Sequence, residues 1–240
     1  MTERAALVTG GSSGIGLAIA KALGGEGYGV TVAARRPERL KRAADTLRND
    51  GLNILDFATD MANEDEIVAL FRAHKERFGR LDVLVNNAGV GIGGAIEDYE
   101  TKSLDLQLGV NLRGVFLATR EALHLLKEAG SEHGHAQIIN IASIAGKFGQ
   151  GWLAAYSATK AGVVGLTQAL HKELGDSGVR ATAICPGFVD TAMTDWIKES
   201  VPAEKMIATE DLAATVRYLL ELSPACVVPE IMMVRPGEVL

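Results

Sequence analysis

Tyr156 and Lys160 stand four residues apart, and Ser143 precedes the tyrosine in the stretch SIAGKFGQGWLAAYSATK. In a helix that spacing places the phenol and the ammonium one turn apart on one face. A free phenol titrates near about 10 and is a weak base at neutral pH. A nearby ammonium favours the phenolate and draws that value down. A phenol so tuned can give or take a proton at a carbonyl or alcohol oxygen. A hydroxyl such as that of Ser143 can hydrogen-bond the same oxygen and hold it in place. The same pair also occurs on any partly exposed amphipathic turn, so its meaning depends on the elements that carry it.

Those elements alternate between short apolar runs and apolar-periodic stretches. Residues 5–9 (AALVT) suit a strand buried on both faces. Gly10-Gly11-Ser12-Ser13-Gly14-Ile15-Gly16 follows, then a helix over about 15–23 and a second strand over 30–34 (VTVAA). This is a βαβ unit with glycines at its first turn, the context in which a dinucleotide binds. Gly10 permits a tight turn, and Gly14 and Gly16 let backbone approach a pyrophosphate and let helix pack on strand. Ser12, Ser13 and Ile15 complete the loop, and the helix N-terminus offers free N–H groups to phosphate. The spacing is T-G-x-x-x-G-x-G rather than G-x-G-x-x-G.

A site preferring NAD usually carries Asp or Glu at the tip of the second strand. Here Ala34 is followed by Arg35 and Arg36. Two guanidiniums suit a 2′-phosphate, which favours NADP(H) over NAD(H). With Pro37-Glu38-Arg39 adjacent, the reading of these arginines as solvated surface charges stays open.

A helix over 39–49 leads to a third strand over 53–58 and then to Asp60 and Met61. The Asp60 carboxylate could bond an adenine amino group beside the Met61 backbone, or serve in a helix N-cap. A helix over 65–78 and a fourth strand over 81–85 end in Asn86-Asn87-Ala88-Gly89, small and amide residues suited to a flat ring and a ribose. Residues 102–128 read as one helix bent near 109–114, with Asn111 inside it. Asparagine disfavours helix interiors, so its side chain or a local kink has a use, or it is simply tolerated. Glu132-His133-Gly134-His135 is too sparse for a metal site, and His74, His124 and His171 read as helix-face residues.

A fifth strand over 137–142 delivers Ser143 at its C-terminal end, where ligands bind in an open α/β sheet. The helix over 154–174 carries Tyr156 and Lys160. A sixth strand over 179–185 runs into Pro186-Gly187-Phe188-Val189-Asp190-Thr191, and Thr191 could bond a carboxamide or phosphate. Residues 194–206 mix Trp196, Ile197 and Val201 with polar residues, as either a lid or a surface helix would. A helix over 210–222 and a strand over 231–234 close the chain.

Composition narrows the function classes. The 240 residues are 48% hydrophobic and carry net charge −6, with a pI of about 5.4. An acidic balance argues against nucleic acid or an anionic membrane as main partner. Cys185 and Cys226 give neither disulfide framework nor metal cluster and read as two buried thiols. Residues 1–4 are short and polar without a targeting pattern, and no apolar run reaches about 18 residues. A cytoplasmic chain of one domain, 1–240, is the expectation, with no linker or repeat.

Taken together, Thr9-Gly10-x-x-x-Gly14-x-Gly16, Asp60, Asn86-Asn87-Ala88-Gly89, Asn111, Ser143, Tyr156-x-x-x-Lys160 and Pro186-Gly187 resemble the short-chain dehydrogenase/reductase family in order and spacing. The resemblance implies an α/β fold: a Rossmann-type doubly wound parallel sheet of seven strands, order 3-2-1-4-5-6-7, with helices on both faces. It implies Tyr156 as acid/base, Ser143 orienting the substrate oxygen, Lys160 lowering the phenol pKa and bonding the nicotinamide ribose, and Asn111 holding a water in a proton relay. The cofactor set it implies is Gly10, Ser12, Ser13, Gly14, Ile15, Gly16, Arg35, Arg36, Asp60, Met61, Asn87, Ala88, Gly89, Tyr156, Lys160, Pro186, Gly187, Val189 and Thr191, with NADP(H) as cofactor and no metal. It further implies a small carbonyl or alcohol substrate and a homotetramer or homodimer. Phe148, Trp152, Met193 and Trp196 could line an apolar pocket for a ketone, a 3-oxoacyl group or a steroid-like ring; core packing explains them as well. An NAD(H)-preferring member and a non-catalytic dinucleotide-binding scaffold are the competing readings. Val234-Arg235-Pro236-Gly237 departs from the small, glycine-rich turn of many members.

Overall fold

The computed structural model describes residues 4–238. Seven strands form one sheet: β1 (Ala5–Thr9), β2 (Gly29–Ala34), β3 (Ile54–Ala58), β4 (Val83–Asn86), β5 (Ala136–Ile141), β6 (Val179–Pro186) and β7 (Glu230–Met233). Every pairing is parallel and the order is β3-β2-β1-β4-β5-β6-β7. Parallel strands need crossovers, and the helices that supply them cover both faces. That is why β1, β5 and β6 are buried along their whole lengths.

The period-two alternation of each strand sorts its side chains into two cores. Ala6 and Val8 of β1 join Val30, Val32, Val83 and Val85 on one face. There they meet Ile19 and Leu23 of α1 (Gly14–Gly25), Leu40 and Leu47 of α2 (Pro37–Asn49), and Leu212 and Val216 of α7 (Thr209–Glu221). Leu7, Leu84 and Ile138 point the other way, against Ile67 and Leu70 of α3 (Glu64–Phe78), Leu125 and Leu126 of α5 (Gly114–His133), and Leu170 of α6 (Ala154–Glu173). Each fully buried Leu or Ile contributes about 1.5–3 kcal/mol. A one-residue slip in any strand would exchange the two sets, so the register is fixed.

The expected helix over 102–128 runs as α4 (Thr101–Leu108), a π-helical turn over Gly109–Arg113, and α5. The bend is thus a π-turn, an insertion that perturbs the hydrogen-bond ladder without ending the helix. Asn111 lies inside it.

Two expectations are corrected. Cys185 is buried in β6, but Cys226 is exposed in the loop before β7. His74 is a fully buried core residue rather than one on a helix's outer face: its Nε2 lies 2.8 Å from the Arg80 carbonyl and its Nδ1 2.7 Å from Thr31 Oγ1. Among the described residues no helix is long and apolar enough to cross a membrane, and no group of three or more His, Cys, Asp or Glu is placed to hold a metal. His133 bonds Asp82 at 2.8 Å, and His135 lies 3.4 Å from an Arg180 nitrogen. Residues 1–3, part of the polar N-terminal stretch, lie outside the described residues.

Candidate active site

Ser143 lies two residues past the end of β5, at the C-terminal rim of the sheet. Its Oγ accepts the Ala145 N–H at 3.1 Å, which caps a short 3-10 turn over Ile144–Gly146. That bond does not use its hydroxyl proton, and the Ser143 hydroxyl is the neighbour that draws the Tyr156 phenol pKa down. Tyr156 and Lys160 lie on the first turns of α6. The Lys160 ammonium is buried, lies 5.7 Å from the centroid of the Tyr156 ring, and donates to the Ile141 carbonyl at 2.8 Å. Serine, phenol and ammonium therefore lie together at one rim of the sheet.

The direction of the phenol's shift is a correction. Desolvation of the half-buried Tyr156 pushes its pKa up, and Ser143 only partly offsets it. Burial likewise lowers Lys160 to about 8. The ammonium lies over the ring and bonds Ile141, so desolvation outweighs its pull on the phenol.

Asn111 is fully buried. Its Oδ1 accepts the Val90 N–H at 2.8 Å, and its Nδ2 donates to the Val90 carbonyl at 2.8 Å and to Thr159 Oγ1 at 3.2 Å. The Asn111 side chain thus clasps the loop after β4. A Cβ built on Gly89 would sit 3.4 Å from Asn111 Oδ1 and 3.6 Å from Lys160 Nζ, so Gly89 lies beside both.

The glycine loop after β1 is braced from β4. Thr9 Oγ1 accepts the N–H groups of Asn87 and Ala88, each at 3.0 Å. Asn87 Nδ2 returns bonds to the carbonyls of Thr9 (2.9 Å) and Gly10 (3.3 Å), so this amide is spent on shaping the loop. Gly10 takes φ +69°, and a Cβ on Gly16 would fall 2.5 Å from the Gly10 carbonyl oxygen; the approach of helix to loop admits no side chain there. Ser13 caps α1 without a side-chain bond, leaving the first N–H groups of the helix, at Gly14 and Ile15, unspent by it. Thr191 overhangs the loop: a Cβ on Gly14 would meet its methyl at 3.1 Å. Ser12 and Ser13 are half-buried between them. A loop of this shape fits a pyrophosphate.

Around this loop the other predicted residues take varied positions. Arg35 and Arg36 are exposed at the end of β2, in no ion pair among the described residues, and border a depression shared with Arg39 and Arg42. Asp60 accepts the Ala62 N–H at 3.0 Å, and Asn63, not Asp60, caps α3 by accepting from Asp65 and Glu66. Met61 is buried in the second core. Pro186 ends β6, Gly187 donates to the Met233 carbonyl at 2.8 Å, and Val189 bridges to Ile207.

Other parts of the site were not anticipated from sequence. Gln107, fully buried, accepts the Ile92 N–H at 3.1 Å and anchors the glycine-rich loop after Gly89; a glutamine in an apolar helix face was the available signal. Trp152 has φ +66°, a left-handed backbone that a bulky residue adopts only under strain. Its carbonyl accepts the Gly94 N–H at 2.8 Å. Residues 192–206 form two short 3-10 turns, Ala192–Ile197 and Ala203–Lys205, tied down by Lys198 to Asp190 and Asp195, in place of a single helix.

A family model for short chain dehydrogenases matches residues 4–201. The chain belongs to the short-chain dehydrogenase/reductase family. Among its relatives in that family is a protein named as a ketoacyl reductase of the granaticin polyketide synthase of Streptomyces violaceoruber, 38% identical over 251 aligned positions covering 97% of this chain and 92% of the relative. A variant actinorhodin polyketide ketoreductase, solved with NADPH, superposes with a TM-score of 0.88 at 37% identity, covering 97% of this chain and 95% of that one. The 3-ketoacyl-(acyl-carrier-protein) reductase of Brucella melitensis, solved with NADH, gives 0.87 at 31% identity and 96% coverage of both chains. As a member of this family the chain is an oxidoreductase of small molecules that uses a nicotinamide dinucleotide.

Proposed function

We propose that this dehydrogenase/reductase interconverts a carbonyl and a secondary alcohol with NADP(H), and that its substrates include ketoacyl-type ketones. The observation that carries the reading is the convergence of Ser143, Tyr156 and Lys160 on the rim beside Gly89. Bound, the dinucleotide supplies or accepts the hydride. The loop of Gly10, Ser12, Ser13, Gly14, Ile15 and Gly16 and the N-terminus of α1 would hold its pyrophosphate, with Thr191 above them. Ala88, Gly89, Pro186, Gly187 and Val189 would border the nicotinamide end, and Asp60 and Met61 the adenine end.

The chain's own residues manage the proton. In reduction the phenol of Tyr156 gives its proton to the carbonyl oxygen as the carbon is reduced, and in oxidation it takes the alcohol proton. A raised phenol pKa keeps Tyr156 protonated at neutral pH, the form that reduction consumes. Ser143 donates to the same oxygen and fixes its place. Lys160, held by Ile141, would bond the ribose and steady the phenolate left behind. Asn111 positions the loop at Val90 against Gly89.

Arg35 and Arg36 at the tip of β2, with Arg39 and Arg42 bordering the same depression beside Glu38, support a 2′-phosphate partner. The ketoacyl reductase names among the relatives support the substrate class. Exposed Leu104, Leu108 and Phe116 along α4 and α5 support assembly into two or four copies. The test is loss of reduced-nicotinamide absorbance with ethyl acetoacetate and 3-oxoacyl thioesters, run with NADPH and with NADH. Turnover of neither class of ketone with either cofactor would refute the reading.

A further inference from the structure

The chain's only tryptophans, Trp152 and Trp196, lie together at the mouth of the proposed site. Their ring centroids are 6.2 Å apart, inclined by 52°, and the residues are 60% and 57% exposed. Two indoles left open side by side make a continuous exposed aromatic surface.

Both rings are held in place. A Cβ built on Gly93 would fall 2.2 Å from the Trp152 ring, so the indole lies flat on that glycine. Trp196 is backed edge-on by Phe188, 6.3 Å away at 75°. The pair is continuous with the chemistry. Gly91 faces the Tyr156 ring on one side and the Met193 sulfur on the other, at 3.8 and 3.9 Å from its built Cβ, and Met193 is itself half exposed. A path of apolar and aromatic atoms thus leads outward from the phenol. Inclined indole faces prefer the offset or edge contacts of another π-system to those of a puckered saturated ring, and a thioether adds a favourable contact to an aromatic edge.

We infer that Trp152 and Trp196 form a notch that recognises a flat unsaturated ring carried by the ketone, so that aryl-substituted or fused-ring aromatic ketones are the preferred substrates of this chain. The inference rests on the carbonyl-reductase reading above and adds the ring to it. The carbonyl lies at Ser143 and Tyr156, and the ring extends past Gly91 and Met193 into the notch.

The decisive pair is 2-tetralone and 2-decalone, unconjugated ketones on the same fused skeleton, one with an aromatic ring and one saturated. The wild-type protein is expected to favour 2-tetralone by about tenfold or more in kcat/KM, through KM, as one or two aromatic contacts provide. Trp152→Gly, which suits the left-handed backbone, and Trp196→Ala should each pull that ratio toward unity. Calorimetric titration of the NADP⁺-loaded protein supplies a readout without turnover: tighter Kd for 2-tetralone, accompanied by saturable quenching of the tryptophan emission, which comes from the notch alone. Equal Kd values for the two ketones, or a ratio unchanged in both variants, would overturn the inference. Turnover of both without discrimination refutes the notch and leaves the reductase reading standing; discrimination in binding without turnover of any ketone does the reverse.

Discussion

The side chain of Asn111 holds the backbone of Val90 by both of its polar groups, accepting its N–H and donating to its carbonyl, each at 2.8 Å. A residue in a π-turn thereby fixes a loop twenty-one positions earlier. Asn111→Ala should strand those two groups and destabilise the protein by about 2 kcal/mol. It should also weaken dinucleotide binding, because the released loop carries Gly89. A denaturant midpoint with constant slope and a cofactor titration read both effects. A change within about 0.5 kcal/mol, the range of an ordinary surface substitution, would deny the clasp its role.

Lys160 illustrates a trade of stability for chemistry. Its fall from 10.5 to about 8 corresponds to about 3 kcal/mol held against the charged folded state. The bond to Ile141 returns about 1–1.5 kcal/mol. Lys160→Met should therefore raise stability at pH 7 by about 1–2 kcal/mol while abolishing turnover. The sign follows from the depressed value: the unfolded chain binds the proton more readily below about 10.5, so the penalty grows between about 10.5 and 8 and is constant below. Comparison of unfolding free energies of wild type and variant at pH 7 checks this. A variant less stable than wild type at pH 7 would contradict it.

His74 should shape the acid limb of stability. Burial lowers its pKa from 6.5 to about 4. The Arg80 carbonyl can only accept, so Nε2 carries the proton and Nδ1 accepts from Thr31. Because the folded value is depressed, the full stability is present above about pH 6.5 and about 3 kcal/mol is lost as pH falls toward 4. His135, also lowered to about 4 by burial and by Arg180, draws on the same window. Asp82, held low by Arg80, Ala5 and His133 against its burial, loses its share only at still lower pH. His74→Gln should flatten the decline between pH 7 and 4 by about 3 kcal/mol. An unchanged slope would remove His74 from the account.

The proposed preference for NADP(H) rests on Arg35 and Arg36. Replacing both with alanine should weaken NADPH binding by about 10- to 100-fold, the range of one or two charge-assisted contacts to phosphate, and leave NADH binding within about twofold. Titration of each reduced dinucleotide by fluorescence reads the ratio. Equal losses for both would assign the preference elsewhere.

The residues that carry the fold were legible because both faces of the sheet are buried. Runs such as AALVT and QIINIA have no polar face to confuse their period, and the glycines after β1 and the Tyr-Lys spacing place the rim. The odd Asn111 within an apolar helix signalled a use, though only coordinates reveal Val90 as its partner. The direction of the Tyr156 shift was hidden, since spacing records which charge is near but not how much water is lost. Trp152 and Trp196 were legible as pocket candidates, but their seating was not: Gly93 lies fifty-nine positions from Trp152, and nothing in the local sequence GQGWL demands a left-handed tryptophan. Exposure of Cys226 depended likewise on where the loop before β7 turns.

Everything functional in this account passes through the phenol oxygen of Tyr156. The most direct measurement is ketone-dependent oxidation of NADPH by the wild-type protein and by Tyr156→Phe, alongside NADPH affinity for each. The phenyl ring preserves the packing and removes only the hydroxyl. The account predicts a loss of about 10²–10⁴ in kcat, the usual worth of a positioned proton donor, with NADPH affinity unchanged within about twofold. Turnover that survives the substitution at the wild-type rate would contradict it.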